Sequence, residues 1–164
     1  MNMNEKKLFS DIVMRFSEES HCTLYKVAAI AVKNGRIVAT GINGTHAQLE
    51  NCDEHFVNCF EVSRKIDFTT YEDWIKSEEF KKLHHEWADI NEVHAEVSLC
   101  GEAIKNGTIL YDTDIYVTHR PCKHCSKLLA TFKPRNVFYI FEYDKAPIES
   151  ITILRNCGVN IEKI

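Results

Sequence analysis

An α/β domain layered around one sheet is the fold class this sequence predicts. Two observations carry it. Short apolar runs bounded by turn residues alternate with stretches whose apolar residues recur at helical spacing. That alternation persists to the end of the chain. The elements follow in order. Residues 5–19 place Leu8, Ile12, Val13 and Phe16 on one face of a helix. Tyr25 to Val32 is apolar and β-leaning, Lys33-Asn34-Gly35-Arg36 is a turn, and Ile37 to Ile42 is a second strand closed by Gly41-Ile42-Asn43-Gly44. Together they form a hairpin. Residues 45–70 show weak periodicity and read as a long loop holding Cys52, His55 and Cys59. A loop of that length in a small domain needs a function or a staple. Residues 71–87 read as one helix with Trp74, Ile75, Phe80, Leu83 and Trp87 on its apolar face. A further helix spans about Val93 to Lys105 and stops at Asn106-Gly107. Ile115 to Thr118 is a short strand. Pro121 opens a helix that runs through Phe132 and ends at Lys133-Pro134. Val137 to Phe141 is a strand, Pro147 to Asn156 a helix ended by Gly158, and Val159 to Ile161 a last strand.

Composition narrows the function classes. The 164 residues fit a single domain. A net charge of −4 disfavours a polymeric nucleic acid as partner, because long polyanions are gripped by basic faces. A small anionic substrate remains compatible, since a few local cations suffice. The N-terminal stretch MNMNEKKLFSDIVMRF lacks the apolar core of a signal peptide, and no window approaches the ~18 apolar residues of a membrane span. A cytoplasmic protein without a membrane partner is expected. In that setting the seven cysteines are expected to be metal ligands and buried thiols rather than disulfides.

Two motifs carry chemistry. Cys122 and Cys125, in Pro121-Cys122-Lys123-His124-Cys125, are spaced to point the same way from one helical turn, and a helix N-terminus favours their thiolates. Taken alone, such a pair is equally a redox pair or half of a structural zinc site. His94, in His94-Ala95-Glu96, offers a third ligand from another helix. Three protein ligands leave the fourth tetrahedral position of Zn²⁺ to water, whose pKa zinc lowers to about 7. Glu96, two residues on, does not share the direction of His94. It is expected to flank the open position and move protons, with small Ala95 keeping the space between them tight. In this order the two motifs match the signature of zinc deaminases that act on nucleobases. Cys100 and Cys157 have no such neighbours and are expected to be buried thiols.

On these motifs, and on Gly41-Ile42-Asn43-Gly44-Thr45, the chain from about Ser20 to its end resembles the deoxycytidylate (dCMP) deaminases. It is most similar to the bacteriophage type through His84-His85-Glu86-Trp87, Asn91-Glu92-Val93 and Glu142-Tyr143-Asp144-Lys145. The resemblance implies a cytidine-deaminase-like three-layer α/β/α sandwich with a mixed five-stranded sheet. It implies one deaminase domain over 1–164, conversion of dCMP to dUMP in supply of thymidylate synthesis, and the cytoplasm of a host cell as location. It also implies activation by dCTP with Mg²⁺, inhibition by dTTP, and a homo-hexamer. By the same resemblance Asn43 bonds the nucleotide sugar, and Tyr143 helps enclose it. Ala95 and Lys105 join the substrate site, and Lys26, Arg36 and Gly44 lie in effector-binding segments. The insertion at about 46–92 carries a second, structural Zn²⁺ in phage-type members, and the matching positions are Cys22, Cys52, His84 and Glu92. Two thiolates, an imidazole and a carboxylate suit zinc; His85 and His55 are the neighbouring candidates. The chain departs from the pattern at Ala28, where glycine is common, at Ile42, at Lys123-His124, and at Glu102 and Lys105, where phage members often carry an aromatic and an arginine. Lys105 keeps the charge and loses the planar fork.

Rival readings are a related deaminase acting on dCTP, on free cytosine or guanine, or on adenosine in transfer RNA. A rival of another class is a non-enzymatic, zinc-stabilised sensor of deoxynucleotides, which needs zinc and does not need Glu96.

Overall fold

The computed structural model describes residues 3–63, 67–143 and 147–164. Five strands form one mixed sheet: β1 (Ala28–Lys33), β2 (Arg36–Ile42), β3 (Asp114–His119), β4 (Asn136–Phe141) and β5 (Asn160–Lys163), in the order β2-β1-β3-β4-β5. β1 pairs antiparallel with β2 and with β3, while β3, β4 and β5 run parallel. The parallel half needs helical crossovers. These are α6 (Lys123–Phe132) and α7 (Glu149–Asn156), which lie between β3, β4 and β5 in the chain.

Strand alternation sorts side chains to two faces. Ala29, Ala31, Ile115, Val117, Val137 and Tyr139 pack against α5 (Ala95–Lys105), α6 and α7 through Leu99, Ala103, Leu129 and Leu154. Ala28, Ile30, Val32, Tyr116 and Phe138 face α1 (Met3–Ser17) through Phe9 and Val13. The sheet is thus covered on both sides, the layered α/β arrangement expected. Gly41 sets how closely α5 approaches. A Cβ there would stand 2.2 Å from the Ala95 carbonyl oxygen and 2.3 Å from the Leu99 nitrogen. Only glycine lets β2 and the first turns of α5 lie together.

A separate apolar cluster overturns one expectation. Residues 45–70 are not a structureless loop: Cys52–Ser63 is a helix, α2. Glu54 accepts the Asn51 N–H at 3.1 Å, a capping interaction at the helix start. Cys52 and Phe56, one turn apart, are buried, with Cys59 and Phe60 packed against the same cluster. The single helix expected over 71–87 is also two. α3 (Tyr71–Trp74) is capped by Thr70, and α4 (Glu78–Asn91) by Ser77, whose side chain accepts the Phe80 N–H at 3.1 Å. Trp74 and Phe80 are buried as expected, whereas Leu83 faces outward.

The other boundaries move by a residue or two. α5 starts at Ala95 rather than Val93, because Val93 bridges to Gly44 through paired backbone bonds of 2.8 and 3.2 Å. α6 starts at Lys123 with Cys122 as its cap, so Pro121 lies just outside the helix. Lys133 ends α6 in a left-handed conformation, φ 49°. Cys100 is buried, but Cys157 is exposed, contrary to expectation.

Candidate active site

One cavity of about 360 Å³ collects most of the chemistry. His94 enters it from the residue just before α5. The Val93–Gly44 bridge fixes where the helix begins, and His94 takes an extended backbone with no side-chain capping bond, so its ring faces the cavity rather than its own helix. Cys122 caps α6 by accepting the Cys125 N–H at 3.5 Å, which turns both sulfurs to one side. His94 Nδ1 lies 3.7 Å from Cys122 Sγ and 3.3 Å from Cys125 Sγ. The three ligand atoms fall within 4.8 Å of one another.

The electrostatics suit a cation. The Cys125 thiol donates toward Cys122, and His94 adds to this against the cost of burial, lowering the Cys122 thiol to about 3. Cys125 moves upward for the same reason, since the pair shares one proton. The contact with Cys122 raises His94. Glu96, in the first turn of α5, is 4% exposed and lines the same cavity. Two effects compete on it. Its backbone bonding at the helix start favours the carboxylate, while burial disfavours it; burial wins and the carboxyl is raised. That places a proton-holding group beside three soft donors.

A second donor cluster opens onto the same cavity. The ligand atoms of Cys22, Cys52, His84 and Glu92 lie within 4.8 Å of one another. His84 Nε2 stands 3.4 Å from Cys22 Sγ, and the Thr23 N–H points at Cys52 Sγ at 3.4 Å. The Cys22 thiol holds Cys52 down at about 4, and Cys22 itself is raised. Burial first, and the Cys52 charge second, push Glu92 up to about 7. Glu92 Oε1 is buried with no hydrogen-bond partner among the described residues. Two cysteine sulfurs, an imidazole and a buried carboxyl with an unsatisfied oxygen, all converging within 4.8 Å, are a donor set that fits a dication shared between them. The alternative histidines do not belong to the converging set. His85 lines the cavity, and His55 stacks on Trp87 at 4.7 Å and pairs with Glu50 at 3.0 Å.

The remaining expected residues divide. Asn43, Ala95 and Tyr143 line the cavity. Asn43 is already engaged by its own chain: Oδ1 accepts from Ser20 Oγ and the Val27 N–H at 2.7 and 2.8 Å, and Nδ2 donates to the Tyr25 carbonyl at 2.8 Å. These bonds make it a brace between the Ser20–Val27 segment and the end of β2. Tyr143 meets Tyr25 edge-on at 5.7 Å. Asp144 and Lys145 lie outside the described residues. Lys105 is not brought to this cavity. It stands exposed in the last turn of α5, roughly 15 Å along the axis from Ala95. The effector residues are not gathered within one chain either. Lys26 and Gly44 flank the open end of the β1–β2 hairpin, and Arg36 sits at its turn, roughly 20 Å away along the strands. Ala28 is buried under α1.

Sequence reasoning missed Tyr25, Lys81, Lys82, His119 and Arg120, which also line the cavity. Two had a signal. Arg120 directly precedes Pro121 of the cysteine motif, and Lys81 is one helical turn before His84.

The comparisons agree with this geometry. The profile for the cytidine and deoxycytidylate deaminase zinc-binding region matches residues 3–141. The chain is 33% identical over 158 aligned residues to a deoxycytidylate deaminase of Enterobacteria phage T2, covering 88% of this chain and 84% of the relative. The corresponding protein of phage T4 is 32% identical, with coverage of 88% and 82%. Among solved structures, the dCMP deaminase from cyanophage S-TIM5, crystallised with dCMP and dUMP, superposes with a TM-score of 0.74 at 28% identity, covering 100% of this chain and 99% of that one. The chain belongs to the cytidine and deoxycytidylate deaminase family.

Proposed function

We propose that this chain hydrolyses dCMP to dUMP and ammonia. The single observation that carries the chemistry is the convergence of His94, Cys122 and Cys125 beside a cavity that His94, Cys122 and buried Glu96 line. The substrate is supported by the phage relatives and by the cyanophage enzyme whose structure holds dCMP and dUMP. Lys81, Lys82 and Arg120 on the cavity wall supply cations for a phosphate.

His94, Cys122 and Cys125 would hold the metal, leaving a position for water. A zinc ion there supplies a Lewis acid that makes water acidic enough to attack near neutral pH. Glu96 accepts the proton lost by the attacking water and delivers it to the ring nitrogen beside the amino-bearing carbon. It then takes the remaining hydroxyl proton and gives it to the departing amine, so dCMP and water leave as dUMP and ammonia. Burial favours the proton-accepting steps of this cycle, because a carboxylate whose pKa is raised is a stronger base. Tyr143 and Tyr25 close one side of the pocket against bulk water.

The same reading assigns Cys22, Cys52, His84 and Glu92 to a second zinc, which these four protein donors would hold in a structural role. It extends to activation by dCTP with Mg²⁺, inhibition by dTTP, and assembly into a homo-hexamer. Val97 and Ile104 present an exposed apolar stripe on α5, with Ile37 exposed on β2, which favours association. Lys26 and Arg36 lie at opposite ends of the hairpin, so one nucleotide reaches both only across a subunit boundary.

The test is ammonia release and loss of ultraviolet absorbance with dCMP on the zinc-replete protein, alone and with dCTP plus Mg²⁺. Turnover that rises with dCTP is the expected result. Turnover on dCTP, cytosine or guanine but not on dCMP would replace the substrate assignment, and no turnover on any would favour a binding protein.

A further inference from the structure

The second donor cluster is not remote from the reaction. Three of its four members, Cys22, His84 and Glu92, line the cavity that also holds His94, Glu96 and Cys122. Each begins a short strut to a pocket group. From Glu92 the chain runs through Val93, pinned to Gly44, directly to His94. From Cys22, whose sulfur accepts the Tyr25 N–H at 3.5 Å, it runs to Tyr25, which packs on Tyr143. From His84, α4 carries Lys81 one turn away and His85 alongside, both on the cavity wall. Asn43 ties two struts together, donating to the Tyr25 carbonyl at 2.8 Å and reaching Glu92 Oε2 at 3.5 Å.

We infer that the Cys22/Cys52/His84/Glu92 centre is the positioning frame of the nucleotide pocket, holding the Tyr25 loop, the cationic wall of α4 and the His94 segment at one mutual spacing. The inference rests on the reading of those four residues as a zinc site. A bound ion would pull three separately folded segments to a common point. Without it, these segments meet only through weak sulfur contacts of 3.4–3.5 Å, and α4 and the Tyr25 loop separate by the slack in those contacts. The group nearest the chemistry, His94, retains Cys122 and Cys125. The wall that meets the sugar and phosphate loses its reference point.

Cys52 is the residue to change, because it belongs to the centre but does not line the cavity. In Cys52→Ser, zinc content is expected to fall from two equivalents to one. The KM for dCMP is expected to rise roughly tenfold or more, with kcat falling by less, and the Kd of dUMP measured by calorimetry to weaken in parallel. If Cys52→Ser gives no soluble protein, Glu92→Gln, which keeps the side-chain size, carries the same measurements. A lowered melting temperature with KM and Kd within about twofold of the parent would overturn the inference and leave the centre a mere staple. Parent protein that binds one zinc, or does not turn over dCMP, would overturn the underlying reading and this inference with it.

Discussion

The two donor clusters share a cavity wall and an extended dipeptide link, yet they differ in how many donors they gather and in how open they are. His94, Cys122 and Cys125 give three ligand atoms, and His94 is open to solvent. Cys22, Cys52, His84 and Glu92 give four, with Cys22, Cys52 and His84 buried. A three-donor set leaves room for water and reaction; a four-donor set excludes both. Carboxylate placement makes the same division. Glu96 stands next to the open cluster but outside it, available to move protons. Glu92 is inside the closed one, with Oε1 unsatisfied until something binds. On the proposed reading, openness rather than donor type separates chemistry from architecture, because both sets are rich in cysteine and histidine.

The division is tested most severely at Glu96. Glu96→Gln keeps the shape and removes the proton carrier, so kcat for dCMP should fall by about 10²–10⁴-fold. Zinc content should be unchanged, because Glu96 is not among the converging ligand atoms. Ammonia release and metal analysis on the same preparation decide it. Loss of zinc in Glu96→Gln would place the carboxylate inside the centre and erase the contrast. Chelation sharpens the same comparison. Dipicolinate should strip one zinc equivalent quickly from the solvent-reached cluster, and activity should go with it while the far-ultraviolet circular dichroism stays constant. The second equivalent should leave only as the fold opens. Simultaneous loss of both would show that the buried cluster is no better shielded.

Legibility in the sequence followed the range over which the determining forces act. The candidate catalytic cluster was readable because His94, Cys122 and Cys125 lie in two short motifs, and backbone geometry over three to five residues aims them. The alternation of strands and helices around one sheet was likewise local. Residues 45–70 were misread because Asn51 and Glu54 form a cap that is easily passed over, and because Phe56 and Phe60 pack on Trp74 from a later helix. The role of Lys105 could not be read, since proximity to the cavity depends on which end of α5 faces it. Gly41 shows how a turn-like signal can hide a packing constraint. In sequence it looks like punctuation, whereas its missing Cβ admits the Ala95 carbonyl. Gly41→Ala should therefore cost about 1–3 kcal/mol of stability by overpacking. It should also displace the start of α5, which carries Glu96 and follows His94, so activity should fall even at temperatures where the variant stays folded. Thermal unfolding and kcat on one sample test both arms.

The smallest expected effect isolates the architecture of the closed cluster from its chemistry. Ser77 caps α4 through a single bond to the Phe80 N–H. Ser77→Ala should cost about 1 kcal/mol, the usual worth of such a cap. His84 sits well inside the helix, two turns from that cap, where fraying of the first turn does not reach it. Zinc content and kcat should therefore match the parent, while the KM for dCMP shifts only if loosening spreads as far as Lys81, one turn in from the cap. A clear rise in KM with intact zinc content would mean that the cation wall depends on the helix start as much as on the buried donors. An unchanged KM beside a lower melting temperature would leave the anchoring of α4 to His84.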